Sequence, residues 1–198
     1  MLSGGTESVA ALCYALEQGY DVSCYHTVFN DRSEIEGTYA AKICQMLDVP
    51  YHQIDYNIDD MGTIQIRDTW HWLGPAFIIA ASTGVDELWY GVHKDDNIVQ
   101  MEQIDRMWLD VVGLSLPLCT AKSKAPLYNL TKQEQWDMID VDIKPLVVYC
   151  TRIVHEPCGE CGKCKEWKTF VKYATRALSS PNASSRYFKK PASSSSST

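Results

Sequence analysis

Met1-Leu2-Ser3-Gly4-Gly5-Thr6-Glu7-Ser8 runs without interruption into the apolar, helix-compatible segment Val9-Ala10-Ala11-Leu12-Cys13-Tyr14-Ala15-Leu16. Two adjacent glycines let a backbone turn tightly and bring its N–H groups close to an anion, while Ser3, Thr6 and Ser8 add hydroxyl donors. A helix starting here points its positive end at the same spot. The stretch therefore reads as a phosphate-binding loop. An ordinary Gly-Gly turn with a serine N-cap is the simpler alternative, and a second motif far downstream decides between them.

Outward from this loop, Asp21 to Phe29 carries β-branched and aromatic residues in a short run, as a strand does. Ser33-Glu34-Ile35-Glu36 reads as a capping box, and Ile35, Tyr39, Ile43 and Leu47 recur at helical spacing. Pro50 ends that helix, and Tyr51-His52-Gln53-Ile54-Asp55 reads as another strand. Loop, helix, strand, helix, strand is the alternation of an α/β fold around a mainly parallel sheet. Asn57 to Trp72 reads as a loop or irregular helix, and Pro75 to Thr83 as a short buried helix begun by a proline and stopped at Gly84. Glu87 to Val92 reads as a central strand, followed by polar His93-Lys94-Asp95-Asp96-Asn97, where ligands bind in open α/β sheets. Met101, Ile104, Met107, Trp108, Val111 and Val112 give a further helical face. Thr131 is the expected N-cap of a helix over Lys132 to Ile139; Lys132 then lies in its first turn, unfavourable for a cation unless an anion sits there too. The Ser-rich end, Pro181 to Thr198, is expected to be disordered.

With 198 residues the chain suits one well-buried core. Apolar residues at 45% and charged residues at 22%, with no run long enough to cross a bilayer, lead to the expectation of a soluble protein without a membrane partner. A net charge of −7 argues against non-specific binding to a nucleic-acid backbone. There are eight cysteines, and four of them crowd into one segment with no signal peptide ahead of them, which points to metal ligation in a reducing, cytoplasmic compartment. Cys13, Cys24, Cys44 and Cys119 read as small buried hydrophobes.

The crowded segment is Cys150-Thr-Arg-Ile-Val-His-Glu-Pro-Cys158-Gly-Glu-Cys161-Gly-Lys-Cys164. Four thiolates complete a tetrahedral shell, and Gly159 and Gly162 are expected to allow the turns that aim the sulfurs inward. A closed four-sulfur shell is structural rather than catalytic. Zinc (Zn²⁺) is the leading metal, an iron–sulfur cluster also accepts four cysteines, and His155 is read as a bystander.

The pairing of a Ser-Gly-Gly-x-acid-Ser loop with a Cys-x7-Cys-x2-Cys-x2-Cys site resembles the 7-cyano-7-deazaguanine synthase (QueC) family. The loop looks like the PP-loop of N-type ATP pyrophosphatases. Gly91-Val92 followed by Asp96, and Leu130-Thr131-Lys132 before a helix, are weaker matches in the correct order. The resemblance implies an adenine-nucleotide α-hydrolase-like (Rossmann-like) fold, with a five-stranded parallel sheet flanked by helices. It divides the chain into an ATP-binding α/β domain (1–149), a zinc-binding segment with a C-terminal helix (150–180) and a tail (181–198). It implies ATP, Mg²⁺ and Zn²⁺ as cofactors, and conversion of 7-carboxy-7-deazaguanine and ammonia to the nitrile. By the same resemblance Ser3, Gly4, Gly5, Thr6 and Ser8 cradle the phosphates, with Asp96 also on the nucleotide side. Glu7 helps hold Mg²⁺, Lys132 neutralises charge on the leaving group, and Cys150, Cys158, Cys161 and Cys164 hold the metal. A homodimer follows from the resemblance alone.

The chain departs from the family pattern in places. Glu7 stands where the family carries Asp. The family's Arg-Asn pair is not evident around Gly74-Pro75-Ala76-Phe77, and Asn97-Ile98-Val99-Gln100-Met101 replaces its Tyr-Pro-Asp-Cys-Arg segment. Only Met1 and Leu2 precede Ser3, where the family has a full strand, so either the sequence is shortened or something else fills that place. Two other readings compete: a PP-loop tRNA-modifying sulfurtransferase, which needs a reactive cysteine and a basic surface, and a zinc-stabilised domain that binds nucleotide without turnover.

Overall fold

The computed structural model describes residues 1–29, 31–55, 68–96, 102, 104–110, 120–150 and 158–169. Helix α1 (Thr6–Glu17) starts directly from the glycines, with Gly5 in extended geometry as its N-cap (φ −76°, ψ 163°). Its Val9, Ala10, Ala11, Leu12, Cys13 and Ala15 are all buried. Strand β1 (Cys24–Val28) follows, then α2 (Asp31–Leu47) and β2 (Tyr51–Asp55), and β1 and β2 pair in parallel with Cys24 opposite Tyr51. Helix α3 (Asp68–Thr83) leads to β3 (Glu87–Trp89), which pairs in parallel with β4 (Lys122–Lys124). Helix α4 (Lys132–Met138) and a short 3₁₀ turn (Lys144–Leu146) follow, and residues 104–110 and 162–169 are also helical.

The two parallel pairs are separate sheets, β2 beside β1 and β3 beside β4. Met1 and Leu2 lie between them. Leu2 N–H donates to Tyr25 O at 2.8 Å on the β1 side, and the Met1 nitrogen donates to Trp89 O at 2.8 Å on the β3 side. Leu2 is buried in the main core. These two residues thus bridge the two strand pairs and deliver the backbone straight into the glycine turn.

The main core joins α1, Cys24, Ala40, Ile43 and Cys44 to Leu127, Trp136, Ile139, Ile143 and Val147. A second core packs Leu73, Ala76 and Ala80 of α3 against Leu88, Trp108 and Ala121. Burying this apolar surface in two adjoining clusters is the dominant favourable term.

Several local expectations change. Ser33 does not cap α2, which begins earlier at Asp31; its hydroxyl instead accepts from Phe29 N–H at 2.8 Å, bracing the entry to the helix. The buried face of α2 runs through Ser33, Gly37, Ala40, Ile43 and Cys44 rather than through Ile35, Tyr39 and Leu47. Small residues let the helix lie close to β1: a Cβ on Gly37 would sit 2.8 Å from the His26 ring. Pro75 lies inside α3 rather than at its start; a proline is favoured at a first turn, but burial of Leu73 on its N-terminal side continues the helix through it. The central strand is shorter than expected, ending at Trp89. Strand β4 carries no apolar signal. The expected helical face holds at Ile104 and Trp108, both buried, while Met101, Val111 and Val112 lie outside the described residues. So do most of the expected loop over 57–72, Cys119, His155 and the Ser-rich tail. Among the described residues no helix is long and apolar enough to cross a membrane.

Candidate active site

The loop folds on its own hydroxyls. Ser3 N–H and Ser3 Oγ lie 3.2 and 3.0 Å from Ser8 Oγ, Ser8 Oγ donates to Gly5 O at 3.1 Å, and Gly5 N–H donates to Ser3 Oγ at 3.3 Å. Ser8 is therefore committed to shaping the turn. Gly4 has φ +77°, the left-handed conformation that glycine adopts at no steric penalty. Its carbonyl accepts from Val148 N–H at 2.8 Å, which ties the loop to the approach to Cys150. No side chain caps α1, so its first-turn N–H groups, from Thr6 onward, have no intrahelical partner and form an anion-receptive end.

Gly91 forms the opposite wall. A Cβ there would lie 2.4 Å from Glu7 C and Ser8 N, so only glycine fits against the loop backbone. The chain then turns through His93, whose N–H donates to Asp96 Oδ2 at 2.9 Å. Asp95 N–H donates to His93 Nδ1 at 3.2 Å, which assigns the proton to Nε2. That nitrogen lies 3.4 Å from Asp96 Oδ1 and 3.7 Å from Glu7 Oε1.

Lys132 completes the ring. Thr131 caps α4 with a full capping box: Glu134 N–H donates to Thr131 Oγ1, and Glu134 accepts from Thr131 N–H at 2.7 Å. The cap fixes the helix start and holds Lys132, only 8% exposed, against the loop. Lys132 Nζ lies 2.9 Å from Glu7 Oε1 and 3.3 Å from Glu166 Oε2. Burial pushes the Glu7 carboxyl up, but the charge and hydrogen bond of Lys132 outweigh it and hold the group below the usual carboxylate range. Burial likewise works against the Lys132 ammonium, yet Glu7 beside it keeps the proton more firmly held than usual. The expected anion in the first turn of α4 is thus present as Glu7.

At the far end of the sequence the four cysteine sulfurs lie within 4.8 Å of one another. Cys150 to Cys158 is 3.6 Å, and Cys158 to Cys164 and Cys161 to Cys150 are each 3.9 Å. A tetrahedral shell with Zn–S bonds of about 2.3 Å has edges of about 3.8 Å. The donors therefore fit a single ion, whereas a multi-iron cluster sets its thiolates on separate irons. Backbone N–H groups of Cys158, Cys161 and Cys164 point at Cys150, Cys158 and Cys161 sulfurs at 3.3, 3.4 and 3.4 Å. These bonds favour thiolates. Burial, together with the neighbouring Cys161, Cys150 and Cys158 sulfurs, pushes the Cys164 thiol up to about 12, a shift that a bound cation reverses. Gly159 takes the expected turn at φ +72°, but Gly162 is the first residue of a helical stretch.

The structure brings Ser3, Gly4, Gly5, Thr6, Glu7, Ser8, Asp96 and Lys132 to one place, and gathers Cys150, Cys158, Cys161 and Cys164 beside it. Three further residues join the network: His93, which the sequence placed only in the ligand-side stretch after the strand, and Lys163 and Glu166, which it did not single out. His93 carried a signal in its position just beyond a strand; Glu166 carried none beyond following the last cysteine. Cys13, Cys24 and Cys44 are buried, as expected of small hydrophobes.

A family model described as queuosine biosynthesis protein QueC matches residues 1–70. The chain is 23% identical to a 7-cyano-7-deazaguanine synthase of Caldicellulosiruptor saccharolyticus, across 84% of this chain and 86% of that protein. It is 26% identical to a protein of the same name from Pseudoalteromonas translucida, across 83% and 88%. It is also 29% identical to a tRNA(Ile)-lysidine synthase of Porphyromonas gingivalis, but over only 50% of this chain and 24% of that protein. The family model covers the loop and the first two strands, and the synthases align at low identity over most of the chain, which together support a divergent relative of the QueC family.

Proposed function

We propose that the protein is a cytoplasmic, ATP-dependent ligase of queuosine or related deazapurine synthesis that converts 7-carboxy-7-deazaguanine and ammonia to 7-cyano-7-deazaguanine. The observation that carries this reading is the convergence of Lys132 and Glu7 at the open N-terminus of α1, with their Nζ and Oε1 atoms 2.9 Å apart. In this reading the parallel pairs and the Met1–Leu2 bridge belong to an adenine-nucleotide α-hydrolase-like sheet.

The chemistry asks for an anion-receptive cradle and a movable cation. A carboxylate oxygen is a poor leaving group, so it first bonds to the α-phosphorus of ATP and pyrophosphate departs. Ammonia then attacks the carbonyl carbon, loses a proton and expels AMP, leaving the amide. A second ATP activates the amide oxygen in the same way, and loss of that oxygen with AMP and of two protons from nitrogen gives the nitrile. In both rounds the main barrier is charge on the departing phosphate, where preorganised donors act most strongly. The first-turn N–H groups of α1 and the backbone of Gly4 and Gly5 would receive the phosphates, with Ser3 and Thr6 beside them. Lys132 would move its ammonium from Glu7 onto the leaving group, freeing Glu7, with Asp96, for Mg²⁺. His93, between the two carboxylates, would orient both. The cysteine shell would hold Zn²⁺ as a structural ion.

Incubation with MgATP, 7-carboxy-7-deazaguanine and ammonium should release AMP and pyrophosphate and yield the nitrile by mass spectrometry. Absence of nucleotide turnover with this acid sinks the proposal, and turnover with another acid only would reassign the substrate.

A further inference from the structure

The segment that closes the cysteine shell also reaches the phosphate loop. Residues 162–169 are helical, which puts Lys163 and Glu166 on one face, three positions apart. Glu166 Oε2 lies 3.8 Å from Lys163 Nζ and 3.3 Å from Lys132 Nζ. Both ammonium groups therefore share one carboxylate oxygen, within a phosphate's span of each other. Lys132 in turn contacts Glu7 at 2.9 Å, so the network reads Lys163, Glu166, Lys132, Glu7 and ends on the loop.

Stability does not account for Lys163. An exposed lysine paired with a glutamate three positions away contributes little, and its side chain is 48% exposed. It also faces a like charge in Lys132, which is unfavourable unless an anion lies between them. Glu166 supplies one negative charge for the two ammonium groups it contacts, and Glu7, in contact with Lys132 and near His93, acts on Lys163 only through space. A triphosphate brings roughly three to four negative charges to the loop, more than Lys132 can offset.

We propose that Lys163, carried by the metal segment, is a second phosphate-binding cation, and that Glu166 holds both lysines in place until nucleotide arrives. This rests on the loop being a nucleotide site. Its consequence is that the metal shell positions a binding residue rather than merely closing the fold.

The test uses the zinc-loaded wild-type protein, acetylated with an N-hydroxysuccinimide ester with and without MgATP and read peptide by peptide. Acetylation of Lys163 should fall severalfold with MgATP, while exposed Lys165 is unchanged. In parallel, Lys163→Met at full zinc content should raise the Kd for MgATP about tenfold, the loss of one charge-assisted contact. Unchanged Lys163 acetylation, or unchanged affinity of Lys163→Met, overturns the inference; if Lys132→Met still loses MgATP, the nucleotide reading survives. A wild-type protein that binds no MgATP removes that reading and this one together.

Discussion

Glu7 and Lys132 are each shaped by burial and by the other, and the pair has a definite pH signature. The Glu7 carboxyl is held below its ordinary 4.5, so its contribution is complete above that value and is lost as pH falls through the lower folded value. The Lys132 ammonium is held above its ordinary 10.5, so its contribution is complete below that value and is lost as pH rises through the higher one. Stability from the pair is therefore flat between the two ordinary values. Denaturant midpoints of wild type minus Lys132→Met, followed across pH, should show this plateau with losses outside it; subtraction cancels the separate acid release of metal. A difference that stays constant through acid would mean the pair is not formed. Gly91 makes a sharper steric prediction. Gly91→Ala places a Cβ 2.4 Å from loop backbone that has no rotamer to escape into. It should weaken MgATP binding by at least about tenfold, roughly 1.4 kcal/mol, with the far-ultraviolet circular dichroism retained.

At the scale of elements, legibility in the sequence followed what each element buries. Helix α1 was readable because most of its apolar run lies in the core, and β1 and β2 because β-branched and aromatic residues sit between clear breaks. Helix α4 was readable from its Thr131 cap. Strand β4 was not, because Lys122-Ser123-Lys124 places polar and half-exposed side chains along the edge beside β3. The face of α2 was misread because large apolar residues dominate a periodicity count, whereas close approach to His26 requires Gly37. The contact of Lys132 with Glu166 spans 34 positions and leaves no periodic trace. Two elements can be tested by truncation. Thr131→Ala removes the side-chain half of the capping box and should cost about 1 kcal/mol in denaturant unfolding. Leu2→Ala should cost about 2–4 kcal/mol, because Leu2 is a buried member of the main core where the two strand pairs meet. A change under about 0.5 kcal/mol, the range of ordinary surface substitutions, would mean that the Met1–Leu2 bridge carries no packing.

For the molecule as a whole, the metal shell and the loop are one construction. Val148 N–H reaches Gly4 O at 2.8 Å just before the first cysteine, and Glu166 reaches Lys132 just after the last. Removing the ion proposed for the shell should therefore loosen the loop. Cys161→Ser, or treatment with a chelator, should release one zinc per chain by elemental analysis and weaken MgATP binding together with thermal stability. Retained nucleotide affinity in the zinc-free protein would show the two ends to be independent, and iron in the elemental analysis would replace the assigned metal.

The same walls have a bearing on how the protein is made. Gly4 is completed by Val148, Glu7 by Lys132, and the far side of the loop by Gly91. The loop emerges from the ribosome well before residues near position 166 and must wait for them before its surroundings exist. At about 5–20 residues per second that is on the order of ten to thirty seconds. Throughout that interval α1, almost entirely apolar on its core side, has no C-terminal partner to cover it. Synthesis speed and chaperone access over this window, more than final stability, should govern the yield of folded protein.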